Sequence, residues 1–81
     1  MYWHIKRLRV ELEFNRKRIG AFSQNCFAKK IKVSSGMISS ILSGEKIFGL
    51  EKAIEITDSL GFDETDKFNF IKSCYEMKKA L

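Results

Sequence analysis

The stretch that most constrains this chain is SQNCFAKKIKVSSGMISSILSGEK, 24 residues from Ser23 to Lys46. Its apolar residues recur at helical spacing in two short runs, and the first run breaks at Ile31-Lys32-Val33. Ser23 and Ser34 are N-cap candidates, because a serine hydroxyl can accept a backbone N–H that the first helical turn leaves unpaired. Gly44 follows the second run as a stop signal, since glycine adopts the left-handed conformation cheaply. The stretch predicts two short helices joined by a tight turn.

The second predicted helix, from Ser35 to Ser43, divides its residues between two faces. One arc of the helical wheel is apolar and holds Met37, Ile38, Ile41 and Leu42. The other arc holds only small residues, Gly36, Ser39, Ser40 and Ser43. Such a helix buries one face and leaves the other free to approach a surface. The spacing fits a helix-turn-helix with this helix in the DNA major groove, and equally an ordinary helical hairpin of an all-α domain.

The same stretch resembles the helix-turn-helix of the phage-repressor and Cro-type (XRE-like) family. The matching positions are Ser23-Gln24, Phe27-Ala28, Val33-Ser34, Ile38-Ser39, Ile41 and Gly44. The surrounding chain is similar to the N-terminal module of one conserved bacterial regulator family. That similarity spans about Leu8 to Leu81 and rests on Phe22-Ser23, Phe27-Ala28-Lys29-Lys30, Gly44-Glu45-Lys46 and Leu60-Gly61-Phe62.

The resemblance implies a single domain over residues 1–81 that binds double-stranded DNA, with the motif at about 23–44. Gln24 matches a position whose side chain meets a backbone phosphate, and Lys46 matches one close to the DNA backbone. Lys32 stands where the family usually has glycine, which predicts either a left-handed lysine or a remodelled turn. Its charge would lie beside the DNA face.

Sequence-specific members of the family carry Gln, Asn or Arg along the recognition helix, where they pair with base edges. Here the exposed positions are expected to be Ser35, Gly36, Ser39, Ser40 and Ser43. Serine accepts and donates to several bases and to phosphate, so it discriminates poorly. We therefore expect phosphate contacts to supply most of the affinity, with modest direct base readout.

The distribution of charge supports a phosphate-binding surface. The chain carries a formal net charge of +5, and residues 1–32 hold nine Lys or Arg against two Glu. This asymmetry predicts a basic face on the N-terminal half. The triplet Arg16-Lys17-Arg18 is a candidate phosphate clamp in a connector that follows the first helix. A solvated loop is the alternative interpretation.

Composition favours an all-α fold, a five-helix bundle, because proline is absent and long apolar and charged residues dominate. No apolar run is long enough to span a bilayer, so we expect a cytoplasmic protein that does not contact the membrane. Cys26 and Cys74 lack metal-ligand spacing and are interpreted as core residues. His4, the single histidine, has no evident partner. Neither a catalytic site, a metal site nor a cofactor is expected.

The terminal helices carry more apolar surface than one small core requires. The first predicted helix, Tyr2–Asn15, has a core stripe of Ile5, Leu8 and Leu12 and a second stripe that would meet another subunit or the C-terminal helix. The fourth, Leu50–Leu60, is expected to bury Leu50, Ala53, Ile54, Thr57 and Leu60. The fifth begins after a cap at Asp63. The pattern predicts a homodimer whose interface contains Trp3, Val10, Phe14, Phe68 and Tyr75.

Two functions remain open at this stage. The first is a small DNA-binding protein that regulates transcription. The alternative is a protein-interaction module that keeps the helix-turn-helix scaffold and binds another regulatory protein through its apolar terminal helices. An enzyme is the least favoured class, because no catalytic constellation is visible.

Overall fold

Five α-helices make up the secondary structure of residues 2–19 and 23–80, which the computed structural model describes, apart from the side chains of residues 18, 19 and 23. They are α1 (Trp3–Ile19), α2 (Ser23–Lys30), α3 (Ser35–Leu42), α4 (Leu50–Ser59) and α5 (Glu64–Ala80). These residues contain no strand. The prediction of an all-α fold with five helices is confirmed. None of the described helices is long and apolar enough to cross a membrane.

A single hydrophobic cluster joins all five helices. Leu8 of α1, Phe27 of α2, Ile41 of α3, Ile56 of α4 and Phe70 of α5 belong to it and are almost fully buried. The helices α1 and α5 pack on each other, α4 packs on α5, and α1 also contacts α2 and α3. The α2–α3 pair therefore packs directly on α1, which in turn packs on α5.

Two helix starts carry the side-chain caps that the sequence predicts. The hydroxyl of Ser34 accepts a hydrogen bond from the backbone N–H of Met37 at 3.0 Å. The carboxylate of Asp63 accepts one from the N–H of Asp66 at 2.8 Å. Each bond satisfies a donor that the first turn cannot pair. The Ser23 cap lies outside the described side chains, although α2 does begin at that residue.

The helices α3 and α4 end in the same way, with a glycine in the left-handed region. Gly44 has φ +83° and Gly61 has φ +70°. After α3, the N–H of Glu45 donates to the carbonyl of Ser40 at 2.9 Å and the N–H of Gly44 donates to that of Ile41 at 3.1 Å. This pair of bonds is the Schellman motif, which closes a helix end and turns the chain away from its axis.

The helix α2 ends in the same motif without a glycine. Lys32 has φ +59° and is the non-glycine residue with positive φ in the described backbone. The N–H of Val33 donates to the carbonyl of Ala28 at 2.9 Å, and that of Lys32 donates to Lys29 at 3.2 Å. The turn is therefore not remodelled, and the lysine carries a conformational cost of about 1–2 kcal/mol. The predicted left-handed lysine is confirmed.

The first helix is longer than predicted. It extends to Ile19, so Arg16, Lys17 and Arg18 lie in the last turns of α1 and not in a connector. Lysine and arginine are good helix formers, and cations are favoured near the negative end of the helix dipole. The change from apolar to basic residues was wrongly interpreted as the end of the helix.

The buried face of α4 is also rotated from the predicted one. Leu50 and Ile54 are exposed, at 64% and 36%, whereas Ile56 is fully buried. The buried arc is centred on Ala53, Ile56 and Thr57, at the i, i+3, i+4 spacing that a helix brings together. Leu50 is in the first turn, and Ile54 lies one residue, about 100°, away from Ala53. The predicted burial of Leu50 and Ile54 was wrong.

Candidate nucleic-acid interface

The α2–α3 pair is held in position by the core and by its turn. Phe27, Ala28 and Ile31 are buried on the α2 side, and Ile38 and Ile41 are buried on the α3 side. A four-residue turn, residues 31–34, joins the two helices. Since the apolar arc of α3 is used in the core, its opposite arc lies at the surface.

The surface arc of α3 is made of small residues, as the sequence predicts. Gly36, Ser39 and Ser43 are exposed, and Ser35 and Ser40 are half-buried. A Cβ added at Gly36 would approach only the Ser34 hydroxyl, at 4.0 Å, so the space in front of this helical turn is open. The arc presents hydroxyl groups, and no large side chain projects from it.

Gln24 links α2 to this arc. Its Nε2 lies 3.0 Å from the hydroxyl of Ser39, 3.2 Å from that of Ser35 and 3.2 Å from the Ser35 carbonyl. An amide nitrogen has two N–H donors, so it satisfies two of these three acceptors at a time. The side chain that the resemblance places on a phosphate therefore also fixes the orientation of the serine hydroxyls of α3.

The end of α3 is tied to the loop that follows it. The carbonyl of Ser40 accepts from the hydroxyl of Ser43 at 3.0 Å, and from the backbone N–H groups of Glu45 and Lys46 at 2.9 and 3.2 Å. Because the Ser43 hydroxyl uses its proton in the bond to Ser40, its oxygen remains available to accept a hydrogen bond from outside the chain. The same network fixes the backbone of Lys46 against α3.

Four exposed lysines surround the α2–α3 pair, namely Lys29, Lys30, Lys32 and Lys46. None of them forms a salt bridge with another described residue. Lys32 is also close to the start of α4, since its carbonyl lies 3.4 Å from Nζ of Lys52. The pKa of Glu55 is lowered by its hydrogen bond to Lys52, with a smaller contribution from the charge of Lys32.

The basic triplet lies in the last turns of α1 and not in a connector, and its role as a phosphate clamp stays a prediction. Arg16 pairs with Glu13 of its own helix at 2.7 Å. Lys17 is exposed on α1, and the side chain of Arg18 lies outside the described part of the chain. Neither Arg16 nor Lys17 makes a described hydrogen bond to α2 or α3.

Among the residues assigned to a dimer interface, Trp3 differs from the others. Val10, Phe14, Phe68 and Tyr75 are all exposed, at 59–64%. Trp3 is half-buried, packs against the core cluster of its own chain and lies beside Ser73 of α5. Trp3 therefore packs partly within its own chain, and its place in a homodimer interface stays a prediction.

The structure reveals arginine contacts that the sequence analysis missed. Nη2 of Arg9 donates to the carbonyl of Leu42 at 3.2 Å, which attaches α1 to the end of α3. Arg7 bonds to Glu11 at 3.0 Å and to Asp66 at 2.7 Å. The i, i+4 spacing of Arg7 and Glu11 was a readable signal. The contacts of Arg9 and Asp66 join distant parts of the chain and leave no local pattern.

The two cysteines and the acidic residues of the described chain are not arranged as a metal-binding site. Cys26 is exposed and Cys74 is buried, and both are free thiols. The interpretation of Cys26 as a core residue was wrong, because the buried side of α2 is occupied by its neighbours Phe27 and Ala28. In the described residues no group of His, Cys, Asp and Glu has the arrangement of a metal site.

Comparisons of the chain with protein-family models, with curated proteins and with solved structures find no match.

Proposed function

We propose that this protein binds double-stranded DNA as a small transcriptional regulator, with α2 and α3 acting as a repressor-type helix-turn-helix. The observation that carries the proposal is the outward arc of α3. It is smooth, lined with hydroxyl groups and held in place by Gln24. Exposed lysines that form no salt bridge with another described residue precede and follow it in the chain. A helix of this shape fits the width of the major groove.

Electrostatic attraction to phosphates would supply most of the affinity. Lys32 lies in the turn before α3 and Lys46 in the loop after it, and neither forms a salt bridge with another described side chain. Cations placed in this way release condensed counterions when they contact phosphates, which makes the affinity fall with salt. The left-handed Lys32 favours the same interpretation, since a strained residue is kept where its side chain is used.

Direct readout of bases would be modest. The hydroxyls of Ser35 and Ser39 share Gln24 as a donor, and they can accept from or donate to more than one kind of base. Sequence preference would then depend largely on the shape of the groove. If the exposed Val10 and Phe68 lie in a homodimer interface, two copies of α3 would meet successive major grooves about 34 Å apart.

A salt titration tests the proposal. Fluorescence anisotropy with a duplex of mixed sequence should give an affinity that falls steeply with salt. Lys32→Ala and Lys46→Ala should each reduce the slope of log K against log salt by about one. Lys72→Ala is the matched control, because Lys72 is exposed on α5 and pairs with Glu76 at 3.9 Å. It should leave the slope unchanged.

Two results would contradict the proposal. One is the absence of salt-dependent binding to any duplex. The other is a Lys72→Ala variant whose slope of log K against log salt differs from the wild-type slope as much as that of Lys46→Ala does. The lysines around α3 would then have no special role. A change of base preference in Lys46→Ala would leave DNA binding intact but refute the phosphate role of Lys46.

A protein-interaction module is the second candidate, favoured by one specific observation. Leu50, Phe68 and Tyr75 of α4 and α5 are each 64% exposed, and large apolar side chains at the surface are typical of protein contacts. A module of this kind should pass through a column of genomic DNA at about 100–150 mM salt, near physiological ionic strength. Retention under these conditions favours DNA binding.

A further inference from the structure

An apolar cavity of about 230 Å³ lies between α4 and α5 and shares no lining residue with α2 or α3. Phe48, Ala53 and Cys74 line it and are buried, so they form its floor. Leu50 and Tyr75 line it and are exposed, so they form its rim. The two exposed rim residues are thus part of a concave site and not only of a flat surface.

The size and the walls of the cavity suit one aromatic ring. An apolar cavity of about 150 Å³ holds benzene, so this one has room for a ring with a short substituent. Phe48 and Tyr75 offer aromatic side chains, and rings bind one another with an advantage beyond the area they bury. A bulkier ligand, such as a fused ring system with side groups, exceeds the volume.

One charged residue, Lys78, lines the cavity. It is exposed and forms no salt bridge with another described residue. The Cys74 thiol in the floor is uncharged at neutral pH, and burial raises its pKa to about 12, so it also stays uncharged in mildly alkaline solution. A thiol in this state is a poor nucleophile. Among the described residues, the cavity therefore combines an uncharged apolar interior with one lining cation that forms no salt bridge, and it favours reversible binding.

We propose that this cavity binds a small monocyclic aromatic carboxylic acid, with the ring between α4 and α5 and the carboxylate at Lys78. The ring would remove from water its own apolar surface and that of the exposed rim residues Leu50 and Tyr75. The carboxylate would pair with Lys78, which forms no salt bridge with another described residue. A ligand of about ten non-hydrogen atoms in such a site binds with a dissociation constant on the order of 1 mM.

The cavity also touches the chain that leaves α3. Phe48 is two residues after Lys46, and it stacks on Phe70 with ring centroids 6.3 Å apart. A ligand that restrains Phe48 would restrain the loop that carries Lys46, and the two affinities would then be coupled reciprocally. This effect on DNA rests on the proposed function, whereas binding of the acid does not.

Phenylacetate is a suitable probe, because it has one ring and one carboxylate. In a titration of the ¹⁵N-labelled full chain followed by NMR, saturable shifts should appear at the amides of Phe48, Ala53 and Cys74. The neutral analogue phenylacetamide should bind about five-fold more weakly, which is the loss expected for one exposed ionic contact. DNA is absent from this experiment, so its outcome does not depend on DNA binding.

Variants locate the site. Lys78→Gln should weaken phenylacetate binding about five-fold, and Lys79→Gln, the neighbouring exposed lysine that does not line the cavity, should not. Ala53→Leu fills the floor and should abolish the shifts, with circular dichroism as the test of folding. If that variant does not fold, Ile71→Phe fills the cavity from α5, since Ile71 lines it and is only half-buried.

Three outcomes would overturn the proposal. The first is a wild-type titration without saturable shifts at the floor residues. The second is equal weakening by Lys78→Gln and Lys79→Gln, because the probe would then respond to general positive charge. The third is a set of shifts at Phe48 and Ala53 that follows protein concentration without the probe, which would show that a second copy of the chain fills the cavity.

Discussion

His4 and Ser73, 69 residues apart in the chain, form a buried polar contact between α1 and α5. The hydroxyl of Ser73 accepts the backbone N–H of His4 at 3.0 Å and lies 2.7 Å from Nδ1 of the ring. A hydroxyl oxygen can accept two hydrogen bonds, so either Ser73 or Nδ1 can supply the proton of this second bond, and the tautomer of the ring decides which one does. In both tautomers Nε2 is buried and has no partner among the described residues.

This contact predicts a loss of stability in acid. Burial lowers the pKa of His4 below its ordinary value of 6.5. Below that value the unfolded chain takes up a proton that the folded chain resists, so the free energy of unfolding falls as the pH decreases. The slope is at most about 1.4 kcal/mol for each pH unit. The contribution of His4 to the pH dependence fades over about one pH unit above 6.5, as the unfolded chain also loses this proton.

Urea denaturation between about pH 7 and 5, where an unperturbed histidine titrates, measures this effect. His4→Asn is the control, because its side-chain amide can donate to or accept from the Ser73 hydroxyl and does not titrate. The variant should be less stable at neutral pH, since it leaves a smaller side chain in the core, but its stability should be nearly flat over this range. A wild-type curve as flat as that of His4→Asn would contradict the assignment.

Lys32 gives a prediction about stability and binding together. Lys32→Gly removes the left-handed strain, about 1–2 kcal/mol, but adds freedom to the unfolded chain, which costs about 0.5–1 kcal/mol. We expect a net gain in stability of about 0.5–1 kcal/mol in urea denaturation. Lys32→Ala keeps the strained backbone and should show no such gain.

The two variants should behave alike towards DNA, because both remove the same cation. Each should lower the salt slope of binding by about one. If Lys32→Gly binds DNA as tightly as the wild type while Lys32→Ala does not, backbone shape and not charge would be the contribution of this residue.

Replacement of Arg7 by lysine should lower the free energy of unfolding more than the same replacement at Arg16. The guanidinium of Arg7 bonds to Glu11 and Asp66 and lies 4.2 Å from the centroid of the Phe62 ring. Lysine cannot reproduce this fork or its stacking. Arg7→Lys should reduce the free energy of unfolding by about 1–2 kcal/mol.

Arg16→Lys is the matched control for this prediction. Arg16 also pairs with a glutamate, but the pair joins residues of one helix and is exposed. Its replacement should change the stability by less than about 0.5 kcal/mol. Equal effects of the two variants would show that the contact with α5 and the ring contributes nothing.

The features that the sequence predicted correctly are set by neighbours in the chain. Ser34 and Asp63 cap helices through bonds to residues three positions away. Gly44 and Lys32 reverse the chain through local backbone bonds. The small-residue arc of α3 follows from the spacing of its apolar residues. Each of these needs only the helical period and the chemistry of one side chain.

The errors and omissions concern contacts made by the folded chain. Helical spacing gives an apolar arc for α4 but not the direction of the core, so Ile54 and Ile56 exchanged roles. Cys26 could not be separated from its buried neighbours for the same reason. The contact of Arg9 with Leu42 depends on how α1 crosses α3. Nothing in the neighbouring sequence encodes such a contact.

Gly36 allows stability and DNA binding to be changed in opposite directions. It lies in the first turn of α3, after the cap at Ser34, and has open space in front of it. Gly36→Glu replaces the most flexible residue type and puts a negative charge at the positive end of the helix dipole. The free energy of unfolding should increase by about 0.5–1 kcal/mol.

The same carboxylate would face the duplex if α3 enters the groove. Gly36→Glu should then bind DNA at least about ten-fold more weakly, a loss of about 1.4 kcal/mol from repulsion by the phosphates. Gly36→Gln, which has the same shape without the charge, separates repulsion from bulk and should bind more tightly than Gly36→Glu at low salt. The gap between them should narrow as salt is added. A Gly36→Glu protein that is more stable and still binds DNA like the wild type would exclude the outward arc of α3 from the interface.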